Sequence, residues 1–315
     1  MPIHVAFCVN DAYIPYIAVT LKSIGENNRD DKVVVYVLSD YISQEHKNLM
    51  EVVASPYPNM ILYTQIVDDG ALRDLKDTWT VYTWYRVLLT HYLPDDVHRI
   101  LYLDADTIVV GNLRELFFWD MSDKAIACVV DPESFNSETY RRLKYEPSKK
   151  YVCAGVMLMN LDYWRKNDLS RTIIEWGYQH NDIIRFPDQD TINYLCRDSK
   201  IVLPLRFGIM GCFFKKDVFF RKPYTHELRD CIECPVIIHY AGQAPWIVEL
   251  SNHLMQDEWD KYNQLLPRPV RKVYMTKGLG LIKLHLWNLL HLGRKRSTIS
   301  RQDVLDKLDT IARSQ

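Results

Sequence analysis

Two aspartates, Asp104 and Asp106, are the side chains in this sequence best suited to metal chemistry. They follow the apolar run Ile-Leu-Tyr-Leu, which predicts a buried strand. In an extended chain, residues two apart point to the same side, so both carboxylates can converge at the end of that strand. Carboxylate oxygens suit Mg²⁺ and Mn²⁺, which keep positions open for phosphate oxygens. The spacing indicates a divalent-cation site, and the alternative is a pair of solvated loop aspartates.

A histidine at the end of a second apolar run, residues 236–240, is the third candidate ligand. If that strand end lies beside Asp106, the imidazole of His239 would favour Mn²⁺ over Mg²⁺. The alternative is a histidine whose hydrogen bonds are satisfied within the core. Gly242 follows closely, and a glycine there would let the backbone approach a diphosphate.

Three other polar groups are candidates for binding or catalysis. The segment Asn-Asp-Ala-Tyr at 10–13 follows the first predicted strand; its amide and phenol could bind a base or a ribose, or could simply form a turn. Arg86 stands among apolar and aromatic residues, where a guanidinium pairs with an acid or clamps a phosphate. Asp-Gln-Asp at 188–190 begins a predicted helix, where acids also stabilise the helix dipole.

The elements that must position these groups alternate between strands and helices through the first hundred residues. Strands are predicted at 3–9, 32–38, 61–67, 100–103, 107–110, 125–130, 152–161 and 236–240, and helices at 15–24, 43–53, 81–92, 168–180 and 188–196. This alternation predicts an α/β fold with a largely parallel sheet and right-handed crossovers. Sites in such sheets lie beyond the carboxyl ends of the strands.

The composition is that of a globular protein with a large core. Of 315 residues, 48% are hydrophobic and 25% are charged, which excludes a disordered or collagen-like chain. The net charge of −1 argues against a nucleic-acid-binding protein. Seven cysteines, an odd number, do not form the pattern of a disulfide-stapled secreted domain. With no signal-peptide pattern at the N-terminus, we expect a cytoplasmic protein.

The C-terminal segment differs from the rest of the chain. The stretch 268–296 holds eight Lys or Arg and no Asp or Glu, which predicts a division into a main domain at 1–266, which holds every candidate site residue, and a basic, amphipathic helical tail at 267–315. The apolar part, 279–292, is too short to span a bilayer. We expect it to bind an anionic membrane surface as an interfacial helix. The alternative is a terminal helix packed on the protein's own core.

Six motifs in a fixed order add a resemblance to a known family. They are NDAY at 10–13, Arg86, LYLDADTIV at 101–109, AGVMLMNL at 154–161, DQDTIN at 188–193 and HYAGQAPW at 239–246. The ordered set spans about residues 3–250 and resembles glycosyltransferase family 8, the retaining enzymes that include glycogenin and bacterial lipooligosaccharide galactosyltransferases. The resemblance implies a GT-A fold, a Rossmann-like mixed, mainly parallel sheet with flanking helices.

The resemblance also implies roles for individual residues. Asp104, Asp106 and His239 would hold Mn²⁺, or Mg²⁺, against the UDP diphosphate. The residues it places around the UDP-sugar are Cys8, Val9, Asn10, Tyr13, Arg86, Leu103, Asp104, Ala105, Asp131, Cys153, Ala154, His239, Ala241 and Gly242. The catalytic group would be Asp188, Gln189 and Asp190, with Gln189 under the anomeric carbon.

Those roles favour one mechanism over another. A carboxamide such as Gln189 is a poor nucleophile, but its carbonyl dipole could stabilise an oxocarbenium-like transition state. Front-face attack, with the leaving phosphate taking the acceptor's proton, is therefore the favoured hypothesis, and double displacement through Asp190 is the alternative. The sequence departs from the family pattern in three places. The loop at 242–246 is one residue shorter and lacks the usual lysine, Cys153 stands where many members have asparagine, and Asn10 replaces the aspartate of the bacterial galactosyltransferases.

These inferences predict a retaining hexosyltransferase at the inner face of the membrane. It would move glucose or galactose from UDP-glucose or UDP-galactose to a saccharide acceptor, which could be lipid-linked. A metal-dependent UDP-sugar hydrolase or nucleotidyltransferase would share the aspartate site. A non-catalytic nucleotide-sugar-binding protein is the third alternative.

Overall fold

Strands and helices alternate through the first hundred residues, as the hydrophobic pattern predicts. The computed structural model describes residues 1–72, 75, 81–214, 224–276 and 300–313. The strands are β1 Ile3–Cys8, β2 Val33–Ser39, β3 Met60–Ile66, β4 Arg99–Leu103, β5 Thr107–Val109, β6 Ile126–Val130, β7 Val152–Asn160, β8 Lys200–Leu203, β9 Ile209–Met210 and β10 Ile237–His239. The helices are α1 Ile14–Asn27, α2 Gln44–Ala54, α3 Leu89–Tyr92, α4 Arg114–Phe117, α5 Ser137–Leu143, α6 Leu161–Lys166, α7 Leu169–Gln179, α8 Pro187–Leu195, α9 Glu227–Glu233, α10 Gln256–Gln264 and α11 Arg301–Arg313.

The main sheet has seven strands in the order β3-β2-β1-β4-β7-β6-β8. The β1–β2, β2–β3, β1–β4 and β6–β8 pairs are parallel, whereas β7 runs antiparallel to both β4 and β6. A second sheet has the order β5-β10-β9, with β10 antiparallel to β5 and parallel to β9. The prediction of a mixed, mainly parallel sheet with flanking helices is confirmed.

Local sequence explains how several of these elements begin. Strand β2, which lies between β3 and β1, is buried along its whole length, as is typical of a parallel strand covered on both faces. Helix α1 carries Pro15 in its first turn, where a missing N–H is tolerated. Helix α2 follows Ser43, whose hydroxyl accepts the His46 N–H as a side-chain cap.

The segment 81–92 differs from the continuous helix that its pattern predicts. A 3₁₀-helix runs over Val81–Leu88, and an α-helix follows only from Leu89. In a 3₁₀-helix, residues three apart lie on one side. Tyr82 and Tyr85 use that spacing, because their hydroxyls donate to Asp40 and Asp69 in the loops after β2 and β3. These tertiary hydrogen bonds attach the segment to the loops after β2 and β3.

The strand pairing brings distant segments together at one edge. Strand β4 ends at Leu103 and β5 begins at Thr107, so residues 104–106 form the turn between the two sheets. In the β5–β10 pair, His239 is opposite Thr107, which puts the histidine beside that turn. In the β4–β7 pair, Leu103 is opposite Val156, so residues 153–155 of β7 extend past the end of β4.

The described C-terminal residues pack on the rest of the protein. Val304 and Leu308 of α11 are buried in the main core, and Arg301 pairs with Asp257 at 2.7 Å. Lys272, within the acid-free stretch, pairs with Asp260 at 2.7 Å. The predicted interfacial helix at 279–292 lies outside the described residues. Over the part of the chain that is described, we find no helix that combines the length and apolar character needed to cross a bilayer.

Candidate active site

Asp104, Asp106 and His239 converge at the edge where β4 and β10 end. One ligand atom from each lies within 4.8 Å of the others. The Nε2 atom of His239 is 3.2 Å from Asp106 Oδ1 and 3.8 Å from Asp104 Oδ2. The histidine is buried, while both aspartates keep some exposure. Two carboxylates and one imidazole, open on one side, can bind one divalent cation.

Gly155 of β7 faces this cluster directly. A Cβ atom at this position would collide with the His239 ring and would lie 2.5 Å from Asp104 Oδ2. Any other residue at position 155 would therefore displace two of the three ligands. The absence of a side chain lets the imidazole and the carboxylate approach each other, so the residues present fit a single cation.

Asp104 is oriented by two donors on the side away from His239. Its Oδ1 accepts the Tyr102 hydroxyl at 2.6 Å and the Arg86 Nη2–H at 3.0 Å. Burial would raise the pKa of Asp104, but the charges of Arg86 and His239 outweigh burial and hold that pKa below its usual value. The carboxylate therefore stays ionised, with Oδ2 directed toward the cluster.

Tyr102 was not among the residues singled out from the sequence. Its ring lies under the Arg86 guanidinium, 4.2 Å from centre to centre, and its hydroxyl holds Asp104. A signal for it is present in the sequence, because residues 102 and 104 are two apart and point to one side of an extended chain.

Arg86 is buried and held by acids and carbonyls. It donates to the Ala154 carbonyl at 2.6 Å and to the Thr83 carbonyl at 2.9 Å. Its Nε is also 3.0 Å from Asp188 Oδ2, but the Nε–H points to Thr83, so that contact is a charge attraction without a hydrogen bond. With Asp104 on its other side, Arg86 bridges two carboxylates. Of the two interpretations from the sequence, the structure confirms the acid pairing.

Three neighbours fix the orientation of the Gln189 side-chain amide, which lies on the first turn of α8. Its Oε1 accepts the Ala154 N–H at 2.9 Å. Its Nε2 donates to Asp131 Oδ2 at 3.4 Å and to the Tyr151 hydroxyl at 3.3 Å. The opposite orientation would place the amide nitrogen against a backbone donor. The carbonyl oxygen therefore has a fixed position beside β7.

Asn193 joins Gln189 to the sheet, and sequence reasoning did not single it out beyond its place in the DQDTIN motif. Its side chain accepts the Val152 N–H and donates to the Val152 carbonyl, each at 2.8 Å. It also donates to the Gln189 carbonyl at 3.0 Å. These bonds fix the first turn of α8 against β7 and so place Gln189.

Asp131 and Asp188 lie beside Gln189, and burial raises the pKa of both carboxyl groups. Burial raises the pKa of Asp131 to about 6, although its Oδ1 accepts the Glu133 N–H at 2.8 Å. Burial also raises the pKa of Asp188 to about 6, opposed by the charge of Arg86. Both groups can therefore exchange a proton within the physiological range.

Asp190 is fully buried and has both oxygens bonded. Its Oδ2 pairs with Arg142 at 2.6 Å and accepts the backbone N–H groups of Arg185 and Phe186 at 2.8 and 3.0 Å. Its Oδ1 accepts the Tyr151 hydroxyl at 2.7 Å. The Tyr151 hydroxyl connects Asp190 to the Gln189 amide. The other oxygen of Asp190 holds the loop that precedes α8. Arg142 and Tyr151 were not singled out from the sequence.

The loop after β1 approaches the cluster of Asp104, Asp106 and His239: burial raises the pKa of Tyr13, and the nearby charge of Asp106 raises it further. Asn10 Oδ1 accepts the Tyr13 N–H at 3.2 Å, so the turn expected from these residue types is present. The Tyr13 side chain is 40% exposed and meets Trp246 edge-on at 5.9 Å. Trp246 in turn stacks on Tyr16 at 3.9 Å. The arrangement leaves an aromatic surface and the Asn10 amide beside the cluster.

The remaining predicted residues line the same edge. Val9 is buried and donates its N–H to the Leu38 carbonyl, which extends the β1–β2 pairing by one residue. Gly242 has φ of +68°, in a turn that the Gln243 N–H closes onto the Tyr240 carbonyl. Such a turn needs the left-handed backbone that glycine adopts without strain. The others at this edge are Cys8, Leu103, Ala105, Cys153 and Ala241, of which Ala105 and Ala241 are partly exposed.

Comparisons with known proteins agree with this fold and identify the family. Residues 4–248 match the sequence model of the family described as glycosyl transferase family 8. A lipopolysaccharide 1,2-glucosyltransferase of Escherichia coli is 30% identical over 77% of this chain and 73% of its own length. A lipopolysaccharide 1,3-galactosyltransferase of Salmonella typhimurium is 25% identical over 77% of this chain and 72% of its own length.

A solved structure has the same fold. The galactosyltransferase LgtC, in complex with donor and acceptor sugar analogues, superposes with a TM-score of 0.75 at 22% identity, covering 84% of this chain and 96% of LgtC. This likeness confirms the predicted GT-A fold. The match over residues 4–248, together with the lipopolysaccharide glucosyltransferase and galactosyltransferase relatives, establishes that the chain belongs to glycosyltransferase family 8 and is a hexosyltransferase.

Proposed function

We propose that the protein transfers glucose or galactose, with retention of anomeric configuration, from UDP-glucose or UDP-galactose to a saccharide acceptor, and that it requires Mn²⁺ or Mg²⁺. The observation that carries the proposal is the position of the Gln189 amide and Asp131 next to the cluster of Asp104, Asp106 and His239. When bound there, a divalent cation neutralises charge on a diphosphate leaving group.

The donor would lie across the edge of the sheet. The loop at 8–13, with the exposed Tyr13 ring and the Asn10 amide, would bind the uracil and ribose. Gly242, with its left-handed backbone and no side chain, would leave the diphosphate room to approach. The sugar would then reach Asp131, Asp188 and Gln189 on the other side of the cation ligands.

Gln189 would act on the positive charge that develops at the anomeric carbon. Its Oε1 accepts one hydrogen bond, from Ala154, and an amide oxygen has a second lone pair. Because the three bonds of this amide are already formed, the dipole needs no reorganisation during the reaction. Asp131 and Asp188 would accept hydrogen bonds from sugar hydroxyls.

The surroundings of Asp190 support front-face attack over double displacement. A carboxylate nucleophile needs a free lone pair directed at the anomeric carbon. Asp190 would have to give up contacts with Arg142 and Tyr151 to supply one. We therefore propose that Asp190 organises the loop before α8, and that the leaving phosphate takes the acceptor's proton.

The acceptor and the location follow from the relatives and from the charge of the tail. Two relatives are named for action on lipopolysaccharide, so we propose a lipid-linked surface saccharide as the acceptor class. The basic stretch at 268–296 would hold the enzyme at the inner face of the membrane, where such acceptors are built.

The test is a donor and acceptor screen with purified full-length protein. We expect UDP release from UDP-glucose or UDP-galactose, dependent on a core-oligosaccharide acceptor and abolished by chelation, and a product whose anomeric configuration by NMR matches that of the donor. Sugar release without an acceptor would indicate a hydrolase, and a product carrying the nucleotide would indicate a nucleotidyltransferase. An inverted product would refute retention.

A glycine variant tests whether the cluster is the cation site. Gly155→Ala should weaken Mn²⁺ binding strongly, because the added methyl group displaces the ring of His239 and Asp104 Oδ2. The matched control is Gly70→Ala, at an exposed position that begins the 3₁₀-helix Gly70–Leu72, where a Cβ atom would meet only the Asp68 carboxylate at 3.2 Å. Equal Mn²⁺ affinity in a folded Gly155→Ala protein would contradict the assignment.

A further inference from the structure

A buried thiol lies against the ring nitrogen of His239 that faces away from the carboxylates. Cys153 Sγ is 3.6 Å from His239 Nδ1, while His239 Nε2 is 3.2 Å from Asp106 Oδ1. Cys153 is only 3% exposed, so water does not compete for this contact. The imidazole is therefore held between a sulfur on one side and carboxylates on the other.

The tautomer of a metal-binding imidazole follows from this geometry. A ring that binds a cation through Nε2 carries its hydrogen on Nδ1, and the acceptor of that hydrogen fixes the tautomer and the ring plane. The structure supplies the Cys153 sulfur at that position. We propose that Cys153 is a positioning residue, which accepts the Nδ1–H of His239 and directs Nε2 toward the cation. This inference rests on the proposed metal site.

Strand β7 contacts the ring at two points, which makes the orientation specific. Cys153 and Gly155 are two apart on β7 and therefore face the same side. Gly155 leaves room for the edge of the ring at Cε1, and Cys153 reaches the neighbouring Nδ1. If the His239 ring were flipped about its Cβ–Cγ bond, Nδ1 would move away from the Cys153 sulfur and the contact would be lost. The strand thus both makes space for His239 and selects one orientation.

The experiment measures Mn²⁺ affinity without any sugar donor, by the electron paramagnetic resonance signal of free Mn²⁺. Cys153→Ala should weaken binding by about tenfold, the lower end of the range for loss of a ligand's hydrogen-bond partner. Cys153→Ser keeps an acceptor and should bind within about threefold of wild type. Cys128→Ala removes another fully buried thiol, from the neighbouring strand β6, and should leave affinity unchanged.

A double variant separates positioning from packing. In a His239→Ala background the imidazole is gone, so adding Cys153→Ala should cause no further loss of Mn²⁺ affinity. A further tenfold loss in that background would overturn the proposal, as would unchanged affinity in Cys153→Ala or an equal loss in Cys128→Ala. If Cys153→Ala does not fold, Cys153→Val fills the space with carbon and should show the same weakening.

Failure of the proposed metal site would give a different result. If the wild-type protein binds no Mn²⁺, both the proposed cation site and this inference are wrong. If wild type and Cys153→Ala bind Mn²⁺ equally, only the role of Cys153 is wrong.

Discussion

Replacing Asp131 with asparagine should stabilise the protein at neutral pH while it impairs catalysis. Burial raises the pKa of Asp131 from its ordinary 3.8 to about 6, so its ionised form is less favourable in the folded protein than in the unfolded chain. At pH 7 this difference amounts to about 3 kcal/mol of unfavourable free energy. The partial exposure of Asp131 makes that figure an upper limit.

The amide retains one contact of the carboxylate and loses the other. Its oxygen can still accept the Glu133 N–H, but its nitrogen would face the Gln189 amide nitrogen, so the weak 3.4 Å bond is lost. That loss costs about 1 kcal/mol. We therefore expect Asp131→Asn to raise the free energy of unfolding by about 2 kcal/mol at pH 7, measured by urea denaturation.

The pH dependence tests the cause of the gain. Because the pKa of Asp131 is raised in the folded protein, ionised Asp131 destabilises the wild-type protein fully above pH 6. This destabilisation disappears at lower pH, where the carboxyl group is protonated. The stability difference between variant and wild type should be about 1 kcal/mol smaller at pH 5 than at pH 7. The control, Asp123→Asn, removes a carboxylate whose side chain is 85% exposed and should give no such trend.

Two results would refute this reasoning. A stability gain that is independent of pH would mean that removal of a buried charge is not its source. Turnover equal to wild type would mean that the Asp131 carboxylate does not contact the donor sugar in the reaction.

The other predictions concern catalysis, the metal ligands and the tail. Gln189→Ala should lower turnover far more than donor affinity, because its dipole acts mainly on charge that develops in the transition state; kcat and donor binding that fall equally would make it a binding residue. Asp106→Ala should abolish Mn²⁺-dependent UDP binding in calorimetry, and unchanged UDP affinity in the folded variant would end the metal assignment. Tyr102→Phe removes the hydroxyl that holds Asp104 and should weaken Mn²⁺ binding several-fold, consistent with loss of about 1 kcal/mol; full affinity would show that Arg86 alone orients Asp104. Changing the basic residues 294–296 to glutamate should reduce co-sedimentation with anionic vesicles, and wild-type binding should fall as salt rises; a full-length protein that ignores vesicles would contradict the membrane proposal.

The tail experiment uses substitutions because a truncation would remove more than charge. Val304 and Leu308 are buried in the main core, and Arg301 pairs with Asp257. A chain that ends near residue 267 would expose the surface these groups cover. Loss of vesicle binding by such a chain could then reflect a damaged fold.

Much of the fold and part of the site could be predicted from the sequence because they depend on local patterns. The alternation of apolar runs and helical segments predicts the parallel half of the sheet, and each strand of that half is present within a few residues of its predicted limits. The spacing of Asp104 and Asp106 after a buried strand indicates a cation site from two-residue periodicity alone. Short strands such as β9 carry too few residues to show a period and were not predicted.

What only the tertiary structure decided depends on contacts between distant positions. Cys153 and His239 are 86 positions apart, and they meet because β7 pairs with β4 while β10 pairs with β5. Asp190 has the residue type of a nucleophile, yet Arg142, from 48 positions earlier in the chain, occupies its oxygens. Sequence determines which groups are available along each strand or helix, because side-chain direction repeats with a local period. Which groups share a hydrogen bond depends on long-range strand order and helix packing, which no local period encodes.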